Sequence, residues 1–414
     1  MRKKISEIID GRRVIVKKPE LLAPAGNLEK LKTAILYGAD AVFIGGKEFS
    51  LRSLASNFTL DDIQEAVTFA KEHGAHVHVT TNIVMHENNL EGLRDYLQAL
   101  DHCGVTAIIC ADPHIISIAN EMNLKLEKHL STQMSSTNSE AVKFWANHGV
   151  DRVVLGREVS YNDLKLIMER TPIDIEYFIH GAMCVNLSGR CMLSNYYSRR
   201  DANRGGCSQS CRWFYRLYDQ KGQQVGHNPF TMSSRDLALL REIPKLIELG
   251  VDSFKIEGRM KSVHYIATVV SCYRKLIDAY CQDPDHFVFD DFYEKELAKA
   301  ANRATGTGFF YGIANENGQL FNTRDEHPTQ EFVIRVLDYD KETKIATIEQ
   351  RNHFKVGQTV EFFSPNQDNF KQVVQSLWDE DGNEVIVANH PMQILKMKMD
   401  HDVFKFDMAR KVRE

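Results

Sequence analysis

Two rhythms of apolar residues alternate along positions 20–257. Amphipathic segments, with apolar residues three and four apart, give way at a glycine to short runs rich in Val and Ile. The junction recurs in "YGADAVFIG" (37–45), "HGAHVHVTT" (73–81), "CGVTAIICA" (103–111), "HGVDRVVLG" (148–156) and "LGVDSFKIE" (249–257). Glycine takes the left-handed conformation that ends a helix, and a continuous apolar run fits a strand covered on both faces. "ELLAPAG" near the start, "KLEKHLSTQ" (125–133) and "IDIEYFIHG" (173–181) bring the candidate strands to eight. Eight alternating βα units predict an α/β fold, a TIM-like (β/α)8 barrel. The alternative, an open doubly wound sheet, lacks its glycine-rich fingerprint here. Helix starts are also legible. Thr59 with Asp62 and Ser160 with Asp163 have capping-box spacing, and Ile63, Ala66, Val67 and Ala70 share one helical face.

Beyond the long helix that begins near Ser262 the rhythm changes to alternation. "EFVIRVLDYD", "KIATIEQ", "QTVEFFSP" and "EVIVANH" are separated by turn residues such as Asp381-Gly382-Asn383. They predict a small, antiparallel, barrel-like β domain. The expected division is a barrel over 1–315, carrying an insertion at about 181–232, then a linker over 316–330 and the β domain over 331–414.

The 414 residues are 43% hydrophobic and 26% charged, which are globular proportions. No stretch approaches eighteen apolar residues, so no membrane span is expected. The opening "MRKKISEIIDGRR" lacks the apolar run of a signal peptide, which points to a cytoplasmic chain with reduced thiols. Of eight cysteines, Cys103, Cys110, Cys272 and Cys281 stand in apolar or helical contexts and read as buried small hydrophobes. A formal net charge of −5 means that any nucleic-acid contact must use a local basic patch.

A barrel places its chemistry at the carboxyl ends of its strands. Those ends read Thr80-Thr81-Asn82, Asp112, Ser131-Thr132-Gln133, Arg157, His180 and Lys255-Ile256-Glu257-Gly258-Arg259. The other four cysteines follow the seventh strand directly. Cys184, Cys191, Cys207 and Cys211 form C-x6-C-x15-C-x3-C, a soft-metal donor set. The wide first pair suits an iron–sulfur cluster better than zinc, whose ligands usually come in two close pairs. Around them lie Arg190, Arg199, Arg200, Arg204, Arg212 and Arg216, opposed only by Asp201 and interleaved with Tyr196, Tyr197, Trp213, Phe214 and Tyr215. Arginine mixed with aromatic rings grips phosphates and stacks bases, so Arg190, Arg199, Arg200, Arg204, Arg212, Trp213 and Tyr215 are the candidate RNA contacts.

"EYFIHGAMCVNLSGRCMLS" (176–194) has the form ExFxxG(A/S)xCxxxxGxCxxS. With "PELLAPAGNLEKLKTAILYGADAVFIGG" and "LGVDSFKIEGRMKS", it resembles the collagenase-like peptidases, the thirty-second family of peptidases of unknown catalytic type. The resemblance runs over nearly the whole chain. It implies an oxygen-independent hydroxylase more than a protease. One branch acts on the wobble uridine of tRNA with prephenate as hydroxyl donor, another on ribosomal RNA, a third on the ubiquinone precursor ring. "SNYYSRRDANRGGCSQSCRW" and the terminal β domain look most like the tRNA branch.

What the resemblance implies is a [4Fe–4S] cluster on Cys184, Cys191, Cys207 and Cys211, with tRNA, prephenate and a shorter paralogous chain as partners. Arg157, Lys255 and Arg259 would then hold the carboxylates of prephenate. Glu257 and His180, expected to point into the barrel mouth, would serve as acid–base groups. A salt bridge between Glu257 and Lys255 is the bland alternative. Two rival functions stay open: a peptidase, for which only a Cys184–His180 pair is available because HExxH and GxSxG are absent, and a non-catalytic RNA-binding factor with a structural metal.

Overall fold

The computed structural model describes residues 4–9, 11–50, 57–323 and 325–413. Eight parallel strands form the barrel: β1 (Glu20–Pro24), β2 (Ala41–Gly45), β3 (His76–Thr81), β4 (Ala107–Cys110), β5 (Glu127–Leu130), β6 (Arg152–Val154), β7 (Asp174–Gly181) and β8 (Ser253–Ile256). Each pairs in parallel with the next, and β8 pairs with both β7 and β1, which closes the ring. All eight lie within the segments marked by the sequence rhythm. Gly38, Gly74, Gly104, Gly149 and Gly250, which end the preceding helices, all have positive φ.

The helices wrap the outside. That of Leu60–Glu72 starts with the full Thr59–Asp62 capping box and buries Ile63, Ala66, Val67 and Ala70. Ser160 caps Tyr161–Arg170 by accepting from the Asp163 backbone N–H at 3.2 Å. The longest helix, Val263–Gln282, follows β8 and buries fourteen side chains, Cys272 and Cys281 among them. Cys110 is buried as expected, whereas Cys103 is half-buried. Among the described residues no helix is long and apolar enough to cross a membrane.

The C-terminal domain is a seven-stranded antiparallel sheet. Its order is Phe370–Val373, Thr359–Phe363, Met408–Val412, Gln330–Asp340, Ile345–Gln350, Ile394–Lys398, Leu377–Trp378. Three of the four expected strands belong to it. "EVIVANH" supplies no strand to it: Glu384 makes one isolated bridge to Trp378, and Val387–Ala388 pair with Phe354–Lys355 outside the sheet. The places are taken by Ile394–Lys398 and Met408–Val412, whose alternation is hidden in sequence by lysines and methionines although Leu395, Met397, Met408 and Ala409 are fully buried. Part of the polar stretch over 316–330 is docked: Gln319–Leu320 pairs with Ser233–Ser234 at the end of the barrel insertion.

A buried charge cluster fastens the sheet domain to the barrel. The Arg410 guanidinium, fully buried, contacts Glu296 and lies 2.8 Å from Glu361 Oε2. Lys299 bridges the same two carboxylates at 2.7 and 2.8 Å. Tyr37 donates its hydroxyl to the Phe406 carbonyl at 3.0 Å, and Phe363 and Met408 join the barrel's own core. Burial without a second charge would cost each of these ions several kcal/mol, so the cluster fixes where the domain sits.

Candidate active site

The carboxyl ends of the strands enclose a cavity of about 430 Å3. Phe43 (β2), Ile109 (β4) and Phe178 (β7) give it an apolar floor, and Thr80, Asn82, Ser131, Thr132 and Gln133 line one wall. Arg157, Lys255, Glu257 and Arg259 supply the charges, and all four cysteines of the insertion line the same space. Phe43 and Lys255, 212 positions apart, meet here because their strands deliver inward side chains to the same rim.

Each cation is held differently. Arg157 donates from Nη1 to the Ala182 carbonyl at 2.7 Å, stands 3.7 Å from Glu257 Oε2, and lies over the Phe178 ring at 4.2 Å. Lys255 donates to Glu176 at 2.6 Å and rests on the Phe43 ring at 4.5 Å and the Phe178 ring at 5.6 Å. The salt bridge considered between Glu257 and Lys255 is therefore replaced by two others, Glu257 with Arg157 and Lys255 with Glu176. Arg259 is buried, with Nη1 donating to Thr80 Oγ1 at 3.2 Å and Ser50 Oγ at 3.4 Å. Glycine at position 45 leaves room for it: a Cβ there would come 2.2 Å from Nη1 and 2.7 Å from Ser50 Oγ, and the guanidinium would have to move.

His180 does not reach the cavity, which corrects the expectation for its orientation. Between Lys255 and Ile256 the β7–β8 register shifts: Lys255 pairs with Phe178, but Ile256 pairs with His180. Such a bulge re-aims the side chain beyond it. The imidazole is buried on the outer face between Tyr265 and Tyr273, with Nε2 3.2 Å from Asn302 Oδ1 and Nδ1 3.4 Å from the Tyr273 hydroxyl. Burial pulls its pKa down to about 4. Asp112 is likewise diverted, capping the helix Pro113–Glu121 through the His114 N–H.

The insertion is bolted to the rim. Ser188, between the first two cysteines, donates from Oγ to Glu158 at 2.9 Å, accepts from the Arg157 N–H at 3.2 Å, and offers its carbonyl to Ser135. A Cβ on Gly189 would come 2.0 Å from the Gln133 carbonyl oxygen, and φ there is +69°, so only glycine closes this turn. The Asn186 amide donates to Cys191 Sγ at 3.3 Å. The second cysteine pair is folded back on the first by hydroxyls: Ser194 Oγ accepts from the Ser208 N–H at 3.1 Å, and Ser198 and Ser208 hydroxyls meet at 3.0 Å. Cys184 and Cys207 are exposed, Cys191 and Cys211 half-buried. Burial raises the Cys211 thiol pKa, the other three thiols add to the rise, and Arg212 opposes it.

The arginines divide. Arg190, Arg199 and Arg200 are exposed beside the cavity, with Tyr196, Tyr197, Trp213 and Phe214. Arg204 instead ties the insertion to the barrel segment after β3, donating to Asn89 Oδ1 at 2.6 Å and to His86 Nδ1 at 3.0 Å. Arg212 is half-buried and bonds Gln209 at 3.0 Å. Tyr215 gives its hydroxyl to the Ser210 carbonyl at 2.6 Å and packs on Tyr197 and Phe230.

Comparison with known proteins follows the same division of the chain. The family described as Peptidase family U32 matches residues 26–320, and its C-terminal domain matches residues 328–410. The chain belongs to the U32 peptidase family. This U32 chain is 54% identical over 414 residues to "tRNA hydroxylation protein P1" of Bacillus subtilis, covering 99% of this chain and 98% of that one. It is 40% identical over 265 residues to "23S rRNA 5-hydroxycytidine C2501 synthase" of Escherichia coli (64% and 40% of the two chains). It is 34% identical over 307 residues to a "Collagenase" of Porphyromonas gingivalis (71% and 73%).

Phe43, Glu158, Phe178, Glu176 and Ser188 also belong to the site of this U32 chain, beyond the residues expected from sequence. Two of them had a signal: Glu176 and Phe178 are alternate residues of β7 within the family motif, on the face that points inward.

Proposed function

We propose that this chain is an RNA-hydroxylating enzyme that converts the wobble uridine of tRNA to 5-hydroxyuridine without molecular oxygen, with prephenate as hydroxyl donor. The carrying observation is the convergence of four cysteines, three cations and an apolar floor on one cavity, in a chain so similar to a named tRNA hydroxylation protein.

The donor set fits a [4Fe–4S] cluster on Cys184, Cys191, Cys207 and Cys211. A single zinc at about 2.3 Å from each sulfur would draw them to about 3.8 Å of one another. Among the described residues, the group whose ligand atoms all lie within 4.8 Å is His78, His129 and Glu176, not the cysteines. Their wider spread and the Asn186 hydrogen bond to Cys191 Sγ suit the larger cluster. Bound there, the cluster would supply electron transfer or a Lewis-acidic iron.

The remaining roles fall to the chain's own groups. Arg259, Arg157 and Lys255 hold the two carboxylates of prephenate; Arg259 and Arg157 offer planar forks, Lys255 a point charge. Glu257, beside Arg157 at the cavity wall, is the proton-handling group, and His180 has no part in it. The flexible anticodon loop turns its base into the cavity at low cost, while Arg190, Arg199 and Arg200 take phosphates and the exposed rings stack neighbouring bases.

Mass spectrometry of tRNA nucleosides tests the reading. A strain lacking this chain should lose 5-hydroxyuridine and regain it on complementation; an unchanged nucleoside profile ends the proposal. The RNA surface has its own check. Alanine at Arg199 and Arg200 together should weaken tRNA binding and flatten the log–log salt dependence by about one to two, read by filter binding at several salt concentrations. An unaltered slope would place the RNA elsewhere.

The collagenase relative raises the peptidase reading. Geometry does not give it the Cys184–His180 pair, because both His180 nitrogens face Asn302 and Tyr273 outside the cavity. Gelatin cleavage retained by protein stripped of metal would reinstate it.

A further inference from the structure

The first residue of the family motif, Glu176, has no part in the functional reading so far. Its side chain has no solvent exposure and stands inside the barrel, directly below the cavity floor. Oε1 accepts from Lys255 Nζ at 2.6 Å, and Oε2 lies 3.6 Å from Arg152 Nη1. Arg152 passes its charge on to Glu20 at 2.6 Å, where the Ser253 hydroxyl also donates at 2.8 Å. Two carboxylates and two cations thus balance within the barrel. His78 and His129 flank them as neutral rings, since burial brings both pKa values down to about 3.

His78, His129 and Glu176 gather as closely as metal ligands do. The Arg152 guanidinium, 3.6 Å from Glu176 Oε2, opposes a further cation, and Lys255 already occupies Oε1. The arrangement is that of a counter-ion. Burial disfavours the Glu176 charge, but Lys255 first and Arg152 second outweigh it and hold the carboxyl below its ordinary value.

We propose that Glu176 is a positioning residue that fixes the Lys255 ammonium, against the Phe43 and Phe178 rings, as a carboxylate hook at the cavity floor. The inference rests on the reading of the co-substrate as a dicarboxylate. A lysine has four rotatable side-chain bonds and three donors. One donor is committed to Glu176, and the two rings confine the stem. Neither ring can accept a strong hydrogen bond, so the anchoring direction comes from the carboxylate alone. Phe178 serves both neighbouring cations, which explains why the motif carries E and F two residues apart on one inward face of β7.

A double-mutant cycle tests this. Glu176→Gln should weaken prephenate binding, measured by calorimetry on anaerobic protein, by about tenfold or more, as expected for a charge-assisted contact. In a Lys255→Met background the same change should shift binding less than about twofold, because the two residues act as one unit. Equal loss in both backgrounds would make Glu176 merely structural and overturn the proposal. Glu176→Asp keeps the charge but shortens the reach, so it covers the case in which the glutamine variant fails to fold. It should stay folded with a lowered melting temperature and bind several-fold more weakly than wild type, and wild-type binding would overturn the inference.

A readout independent of prephenate separates this idea from the functional reading. In protein labelled with 13C,15N-lysine, the Lys255 side-chain resonance, assigned by its absence in Lys255→Met, should shift in Glu176→Asp. An unmoved resonance overturns the positioning role. A shifted resonance in a protein that does not bind prephenate would instead overturn the co-substrate assignment.

Discussion

Serine in place of Cys184, Cys191 or Cys207 should abolish 5-hydroxyuridine in the complemented strain and leave the protein folded. Cys184 and Cys207 are exposed and Cys191 is half-buried, so a hydroxyl replacing the thiol is solvated without leaving a cavity, and stability should change by no more than about 1 kcal/mol. The chemistry changes far more. A serine hydroxyl does not ionise at neutral pH, and its hard oxygen is a poor ligand for soft iron. Purified anaerobically, the wild type should be brown, with about four irons and four sulfides per chain; each serine variant should be pale with a normal circular dichroism spectrum. Cys211→Ser should behave alike, although its partial burial makes some loss of stability expected. Full hydroxylation by any of the four variants would sink the cluster reading, and a colourless wild type with one zinc would transfer the site to a structural metal.

The barrel was legible because its signal is local and repeated. A glycine that must take positive φ, followed by a strand buried on both faces, needs no tertiary information to be seen; five of the eight strands appeared this way, and the other three as short segments alongside them. The cysteines were legible for a related reason: a soft donor set in one insertion has few other uses. What escaped depends on register. His180 falls on the inward parity of β7 with Glu176 and Phe178, and only the shift opposite Ile256 turns it out to Tyr265 and Tyr273. Nothing in the residues from 174 to 181 announces that bulge. The pairing of Lys255 escaped too, because charged residues inside a barrel contradict the expectation of apolar filling. In the C-terminal sheet, Met408–Val412 lies between two other strands, yet "MARKV" reads as polar: Arg410 is buried, and its charge is answered by Glu296 and Glu361 from elsewhere in the chain.

Acid should unfold this protein cooperatively, with a midpoint near pH 5, because four histidines are buried as neutral rings. Burial is the leading cause in each case and brings His78, His129 and His264 down to about 3 and His180 to about 4, from an ordinary 6.5. The neighbours do not reverse the effect. Glu20 and Glu176 favour the charged form of His78 and His129, but Arg152 opposes it at both. Arg410 and Lys299 oppose it at His264, which is stacked on Phe332 with Phe363 at its edge. The sign follows from linkage. Below about pH 6.5 the unfolded chain takes up protons that the folded chain refuses until about pH 3 to 4, so stability is full above 6.5 and falls as the pH falls. Each histidine contributes about 1.4 kcal/mol per pH unit in that window, and four together about 5. Against a stability of about 5–15 kcal/mol, one to three units of acidification suffice. Far-ultraviolet circular dichroism and tryptophan fluorescence should therefore change together between about pH 6 and 4. His264→Phe keeps a ring among Phe332 and Phe363 but removes one proton site, so its transition should be shallower and displaced to lower pH. Native spectra persisting at pH 4, or an unmoved transition in His264→Phe, would show that these rings ionise within the folded state.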